Sequence, residues 1–241
     1  TSATGSELWV SDGTSAGTRM VTDLKTGSGS GCSYHIFPVG NRVMFHGEDG
    51  INTGLFISDG TAGGTTFVVH PGGSTLSYDS FSTKHNETPS RFGLPLGHSG
   101  KTIFWPDVTN DGIEPCVTDG TATRTFKLAD FSAGSASSGV ARAMQVGERR
   151  VMWRGDTDNG QELCCTDGTR AGTWSLDLNP GIEDGCRRCP IMSGGKLLFT
   201  GNDGIRGEEL FSYDTRATAQ PAGRGTCPSL HFWCHDPVLG S

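Results

Sequence analysis

No apolar run in these 241 residues approaches the roughly 20 that a membrane-crossing helix needs. Clusters of Lys and Arg are missing too. Nineteen basic residues face 26 acidic ones, a formal charge of −7, which argues against a nucleic-acid or anionic-membrane surface. No segment carries an apolar stripe at helical spacing, so a helix bundle is not expected. The motifs G-x-x-x-x-G-K-[ST] and H-E-x-x-H are absent. The seven histidines, His35, His46, His70, His85, His98, His231 and His235, scatter over different registers. No catalytic residue is expected from the sequence, and the chain is read as a non-enzyme.

What is present is a phrase used again and again. Leu8-Trp9-Val10-Ser11-Asp12-Gly13-Thr14 returns as Leu55–Thr61, Pro115–Thr121 and Leu163–Thr169, and in worn form as Leu210–Thr215. The aspartates Asp12, Asp59, Asp119, Asp167 and Asp214 stand 47, 60, 48 and 47 residues apart. A period of about fifty residues with strand-like segments means a repeated sheet unit. Each unit reads as four strands. A glycine turn joins the first to the second, and an Asp/Asn-Gly hairpin joins the second to the third. The third strand is the phrase itself, and Asp-Gly-Thr turns the chain into the fourth. Phe45, Phe104, Trp153 and Phe199 fall at one register of the second strand. Val, Leu, Ile, Phe and Trp recur at fixed places, unlike a disordered chain.

One such sheet cannot bury both faces alone, whereas stacking sheets around an axis does so. The expected fold is all-β, a five-bladed β-propeller of four-stranded antiparallel blades in a single domain, 1–241. Its pieces are 7–24 with 229–236, then 34–70, 92–131, 142–178 and 188–223. The C-terminal tail, Ser229–Asp236, resembles a second strand, and its pairing with the N-terminal strand is expected to close the ring. Arg216–Gly225 offers few apolar residues, so the fourth strand there is expected to be eroded.

Glu7-Leu8-Trp9-Val10-Ser11-Asp12-Gly13-Thr14, followed by Asp23-Leu24 and later Asp177-Leu178-Asn179-Pro180-Gly181, resembles the signature of the ELWxxDGT repeat proteins. Gly54, Pro115, Cys116 and Cys164 depart from it. The resemblance implies a repeat-built surface or secreted protein of structural or adhesive character, without agreed catalytic residues.

Candidate site residues are few. The Asp-Gly-Thr aspartates read as turn formers, since Asp accepts nearby backbone N–H groups. Asp156, Asp158 and Glu162 place oxygen donors as part of a calcium site would, with a hairpin turn as the competing reading. Calcium is the one cofactor considered. Cys227 and Cys234 are read as a disulfide and not as zinc ligands with His231 and His235. Cys186 and Cys189 form a second disulfide candidate. Cys116 and Cys164, at the Trp9 position, read as small core residues.

The Pro71–Arg91 insertion carries Tyr78, Phe81, Lys84 and His85 as binding candidates and Asn86 as a glycosylation acceptor. Eight cysteines and that sequon point to a secreted, cell-surface or oxidising lumenal setting. Thr1 opens the sequence within a repeat, so a processed chain or part of a longer one is expected. The function expected is a non-catalytic binding or assembly module that docks on a protein partner, with no nucleic acid and no transmembrane segment. A glycan-binding lectin-like module and an enzyme with one axial carboxylate or histidine site stand as alternatives.

Overall fold

A computed structural model describes residues 4–68, 93–108, 112–147, 150–188, 190–214 and 230–232. Among them the chain is all-β. The described residues contain no α-helix, and Ala122–Arg124 forms a single 3-10 turn.

The strands fall into antiparallel sheets that follow chain order. The first is the pair β1 (Trp9–Val10) and β2 (Arg19–Met20). The second is the meander β3 (Cys32–Val39), β4 (Arg42–Glu48), β5 (Thr53–Ser58) and β6 (Thr66–Phe67). The third joins β7 (Leu94–Pro95), β8 (Thr102–Phe104), β11 (Cys116–Thr118) and β12 (Phe126–Lys127). A small hairpin, β9 (Asp107–Val108) and β10 (Gly112–Ile113), stands beyond β8 and β11. The fourth contains β13 (Val140–Val146), β14 (Arg150–Thr157), β15 (Gly160–Thr166) and β16 (Trp174–Leu176). The fifth contains β17 (Ile191–Ser193), β18 (Lys196–Asn202), β19 (Glu208–Asp214) and β20 (Leu230–Phe232).

The repeat sets one register. Phe45 pairs with Phe56, Phe104 with Cys116, Trp153 with Cys164 and Phe199 with Phe211. All eight side chains are buried. In the third sheet the register carries on from β8–β11 into β9–β10. The ladder breaks only where Pro106 and Pro115 withhold an N–H.

Four apolar clusters each span two consecutive sheets. Leu8 and Val21 pack with Phe45 and Phe56. Phe37 stacks on Phe104 with ring centroids 5.6 Å apart. Trp105 meets Trp153 edge-on at 5.2 Å, and Trp174 lies 6.1 Å from Tyr213. Polar bonds cross the same boundaries. Thr102 Oγ1 donates to Pro38 O at 2.7 Å, and Arg42 Nη2 donates to Asp119 O at 2.8 Å. Each sheet thus buries its faces on its chain neighbours, the nearest-neighbour logic of a repeat protein.

The expected clasp between the chain ends is corrected. Leu230–Phe232 lies on the outer edge of the fifth sheet, with Phe211 opposite Phe232 and Tyr213 opposite Leu230. It supplies the fourth strand of that sheet; Arg216–Gly225 lies outside the described residues. The tail completes its own sheet because β19 presents an open ladder edge beside it, and backbone pairing does not distinguish which strand of the repeat is donated.

Candidate functional site

Four of the repeated aspartates, Asp12, Asp59, Asp119 and Asp167, are turn formers. Thr14 donates both its N–H (2.9 Å) and its hydroxyl (2.7 Å) to Asp12 Oδ1, and Gly17 N–H donates to Thr14 Oγ1. Ser11 and Thr18 hydroxyls close the base of the turn at 2.7 Å. The same pairs recur as Ser58–Thr65, Thr118–Thr125 and Thr166–Thr173. Gly13, Gly60, Gly120 and Gly168 all hold positive φ, which L-residues adopt at a cost. The Thr14 hydroxyl and N–H hold the Asp12 carboxyl below its ordinary value, and Thr61 does the same for Asp59.

The glutamate that opens the phrase is a staple between sheets. Glu7 Oε2 accepts Leu24 N–H at 3.1 Å and Oε1 accepts Gly31 N–H at 2.9 Å. Glu114 takes Phe131, Ser132 and Ser138 N–H, and Glu162 takes Leu178 and Gly185 N–H. The carboxylate therefore gathers the loop that leaves one sheet and enters the next. Gly31 and Gly185 then accept N–H from Glu48 and Asn202 of the following sheet. Burial pushes the Glu162 carboxyl up to about 8 against the pull of its two backbone donors, and pushes Glu114 up as well. The second copy carries Gly54 instead of a staple.

Held on the Glu162 staple is a cleft of about 270 Å³ lined by Asp184, Arg187, Arg188 and Glu208. The segment beneath it is laced on both sides. Gly185 N–H donates to Glu162, Cys186 N–H to Gln161 O at 2.8 Å, and Arg187 N–H to Thr200 O at 3.2 Å. Asp184 Oδ1 accepts Gln161 N–H at 3.0 Å. In two other copies a serine has that role. Ser30 Oγ takes Ser6 N–H, and Ser137 Oγ takes Ile113 N–H. Glu208 occupies the place of Ser6, Ile113 and Gln161, one residue before the staple position. Arg188 Nε lies 3.8 Å from Glu208 Oε1, a loose and exposed pair. The cleft is thus a local departure from the repeat. Two carboxylates, at places where other copies carry serine or another neutral residue, meet two guanidiniums there.

The sequence pointed elsewhere. Tyr78, Phe81, Lys84, His85 and Asn86 lie outside the described residues, as do Cys189, Cys227 and Cys234. Cys186 is a buried thiol whose Sγ lies 3.5 Å from Arg188 O, and no disulfide forms among the described residues. Burial pushes the Cys164 thiol well above its ordinary value and Cys32 to about 11, so neither is a poised nucleophile.

Two of the calcium candidates have backbone partners. Both Glu162 oxygens are taken by backbone donors, and both Asp158 oxygens face Ala133 N–H at 3.1 and 3.3 Å. No cluster of three metal-ligating side chains exists among the described residues. Missed by sequence reasoning were Asp184, Arg187, Arg188 and Glu208. Their signal is that they break the alignment of the copies, which was read for what recurs and not for what does not.

No family model matches the chain, and no curated protein matches it. Two solved structures of a puromycin hydrolase resemble it, one of them a mutant complexed with PGG. They show 12% identity, with TM-scores of 0.39 and 0.38. The likeness covers 83% of this chain but 29% of the hydrolase, so the chain spans less than a third of that protein's length. The expectation of a non-catalytic docking module finds no counterpart among them. At such distance the likeness supplies no residue, substrate or mechanism to this chain.

Proposed function

We propose that the chain is a single-site enzyme acting on a small acidic saccharide, built on five sheets arranged as propeller blades. Supporting the blade reading are the common register and the clusters that join each sheet to the next. The resemblance to ELWxxDGT repeat proteins supports the same architecture and bears on no ligand.

One observation carries the site. Two carboxylates that replace neutral residues of other copies converge with two guanidiniums in the Asp184–Glu208 cleft. Arg187 and Arg188 offer planar forks suited to a carboxylate or sulfate group. Asp184 and Glu208 offer the two carboxylates that acid–base cleavage of a glycosidic bond requires. An acidic sugar carries both partners for this set, an anionic group for the guanidiniums and a bridging oxygen for the acid.

The test is a panel of uronate and sulfated oligosaccharides. Binding is read by calorimetry and cleavage by new reducing ends or unsaturated products. Asp184→Ser keeps a side-chain acceptor for Gln161 N–H, as Ser30 and Ser137 do, so its melting temperature should match the native chain while cleavage is lost. Arg187→Ala with Arg188→Ala should weaken binding by roughly tenfold or more. Absence of binding across the panel, or undiminished cleavage by Asp184→Ser, overturns the proposal.

A further inference from the structure

Asn159-Gly160 is the one Asn-Gly pair in the sequence, set among many Asp-Gly pairs. The structure treats the two kinds differently. In every described Asp-Gly pair the carboxylate is tied. Asp12, Asp59, Asp119 and Asp167 each accept the N–H two residues on. Asp49 and Asp203 accept the two N–H groups that follow their glycine, and Asp184 accepts Gln161 N–H. Asn159 has no such tie. It is exposed at the tip of the β14–β15 hairpin. Its backbone N–H bonds Thr157 Oγ1 at 3.0 Å, but among the described residues its side-chain amide bonds nothing.

An untied amide ahead of a glycine is chemically reactive. Once deprotonated, Gly160 N can attack Asn159 Cγ with no Cβ in its way. The N–Cγ bond forms, the Cγ–Nδ2 bond breaks, and ammonia carries off the proton that Gly160 gave up. Water then opens the cyclic imide. Hydrolysis at Cγ leaves aspartate at this position. Hydrolysis at the main-chain carbonyl carbon leaves isoaspartate, whose backbone is longer by a methylene.

The hairpin tip has little room for that methylene. A Cβ on Gly160 would lie 2.7 Å from Glu183 O and 3.0 Å from Ile182 O, so the tip rests on the loop between the fourth and fifth sheets. Next to it, Gln161 N–H donates to Asp184 Oδ1 at 3.0 Å and Gln161 O accepts Cys186 N–H at 2.8 Å. These two bonds hold the loop to the β15 edge.

We infer that Asn159 is a modification site, where spontaneous deamidation to isoaspartate loosens loop 182–186 from β15. The inference holds whatever the Asp184 cleft binds.

The experiment incubates the native chain at mildly alkaline pH and body temperature, beside a free peptide of residues 154–166. A mass gain of about 1 Da, the exchange of NH2 for OH, should appear at Asn159 at least about tenfold faster than at any other asparagine. Its rate should rise with pH, because Gly160 must lose a proton, and Asn159→Gln should abolish it. The isoaspartate form, separated by ion exchange, should exchange the Gln161 and Cys186 N–H at least about tenfold faster than the native chain. Asn159→Asp, which adds the charge without the methylene, should leave that exchange unchanged. Conversion of the peptide but not of the folded chain, or native-like exchange in the isoaspartate form, overturns the inference.

Discussion

Glu7 Oε1 holds the N–H of Gly31 at 2.9 Å across a sheet boundary, and the same glycine passes the link to Glu48 through its carbonyl. The bond makes the first residue of the signature a fastener between repeats. Glu114 and Glu162 repeat the arrangement with deeper burial, each almost wholly removed from solvent. A carboxyl group suits this place because its two oxygens accept N–H groups from separate backbone segments, whereas a Gln amide offers one accepting oxygen.

Removing the fastener strands its donors. Glu162→Ala should cost roughly 2–3 kcal/mol in chemical denaturation, since an unpaired buried N–H carries a desolvation penalty. Glu7→Ala, at a half-buried site, should cost less. Ligand binding in the Asp184 cleft should weaken in Glu162→Ala, because Gly185 and its neighbours lose their anchor.

The buried carboxylate also sets a pH dependence. Glu162 ionises near 8 in the folded chain against an ordinary 4.5, so between those values the native state binds more protons than the unfolded one. Stability contributed by this group is complete below about pH 4.5 and is lost as pH rises through about 8. The slope should reach at most roughly 1.4 kcal/mol per pH unit. Denaturation midpoints measured from pH 5 to 9 should fall for the native chain and flatten for Glu162→Gln. An equal slope in that variant would exclude Glu162 as the source.

In the Asp-Gly-Thr turns a glycine is required for space. A Cβ on Gly172 would overlap the Asp167 carboxylate, and Gly17 and Gly64 stand in the same relation to Asp12 and Asp59. Gly172→Ala should therefore lower stability by about 1–3 kcal/mol. The third copy has Arg124 at this place, accommodated by the 3-10 turn and an ion pair of 3.6 Å to Asp119. Arg124→Gly should change stability by less than about 0.5 kcal/mol. Thermal melts of both variants check the contrast.

The edge-on contact of Trp105 with Trp153 joins the third and fourth sheets. Trp153→Ala should cost about 3–5 kcal/mol, as for other buried aromatic truncations. A double-mutant cycle with Trp105→Ala should show about 0.5–1.5 kcal/mol of coupling. Strict additivity would mean that the two rings do not share an interface in solution.

How much of this was legible in advance follows from the range of each interaction. The strands of Thr53–Ser58 and Gly160–Thr166, their hairpins and the Asp-Gly-Thr turns depend on residues within about ten positions of one another, so alternation and turn chemistry specify them. Aligning the copies likewise places Phe45, Trp153 and Phe199 at one register. Sequence spacing groups Asp156, Asp158 and Glu162 but says nothing of which backbone donors claim a carboxylate. For Glu162 those donors come from residues 16 and 23 positions away.

By itself the sequence determined an all-β chain of repeated sheets with its core aromatic residues in phase, because periodic burial and tight turns are local properties. Only the tertiary structure decided that Leu230–Phe232 pairs with Phe211–Tyr213, that Glu7, Glu114 and Glu162 fasten one sheet to the next, and that Asp184 and Glu208 share a cleft. Those outcomes rest on contacts between distant segments. Their energies depend on which edge is open and which N–H is buried, and neither is fixed until the sheets have stacked.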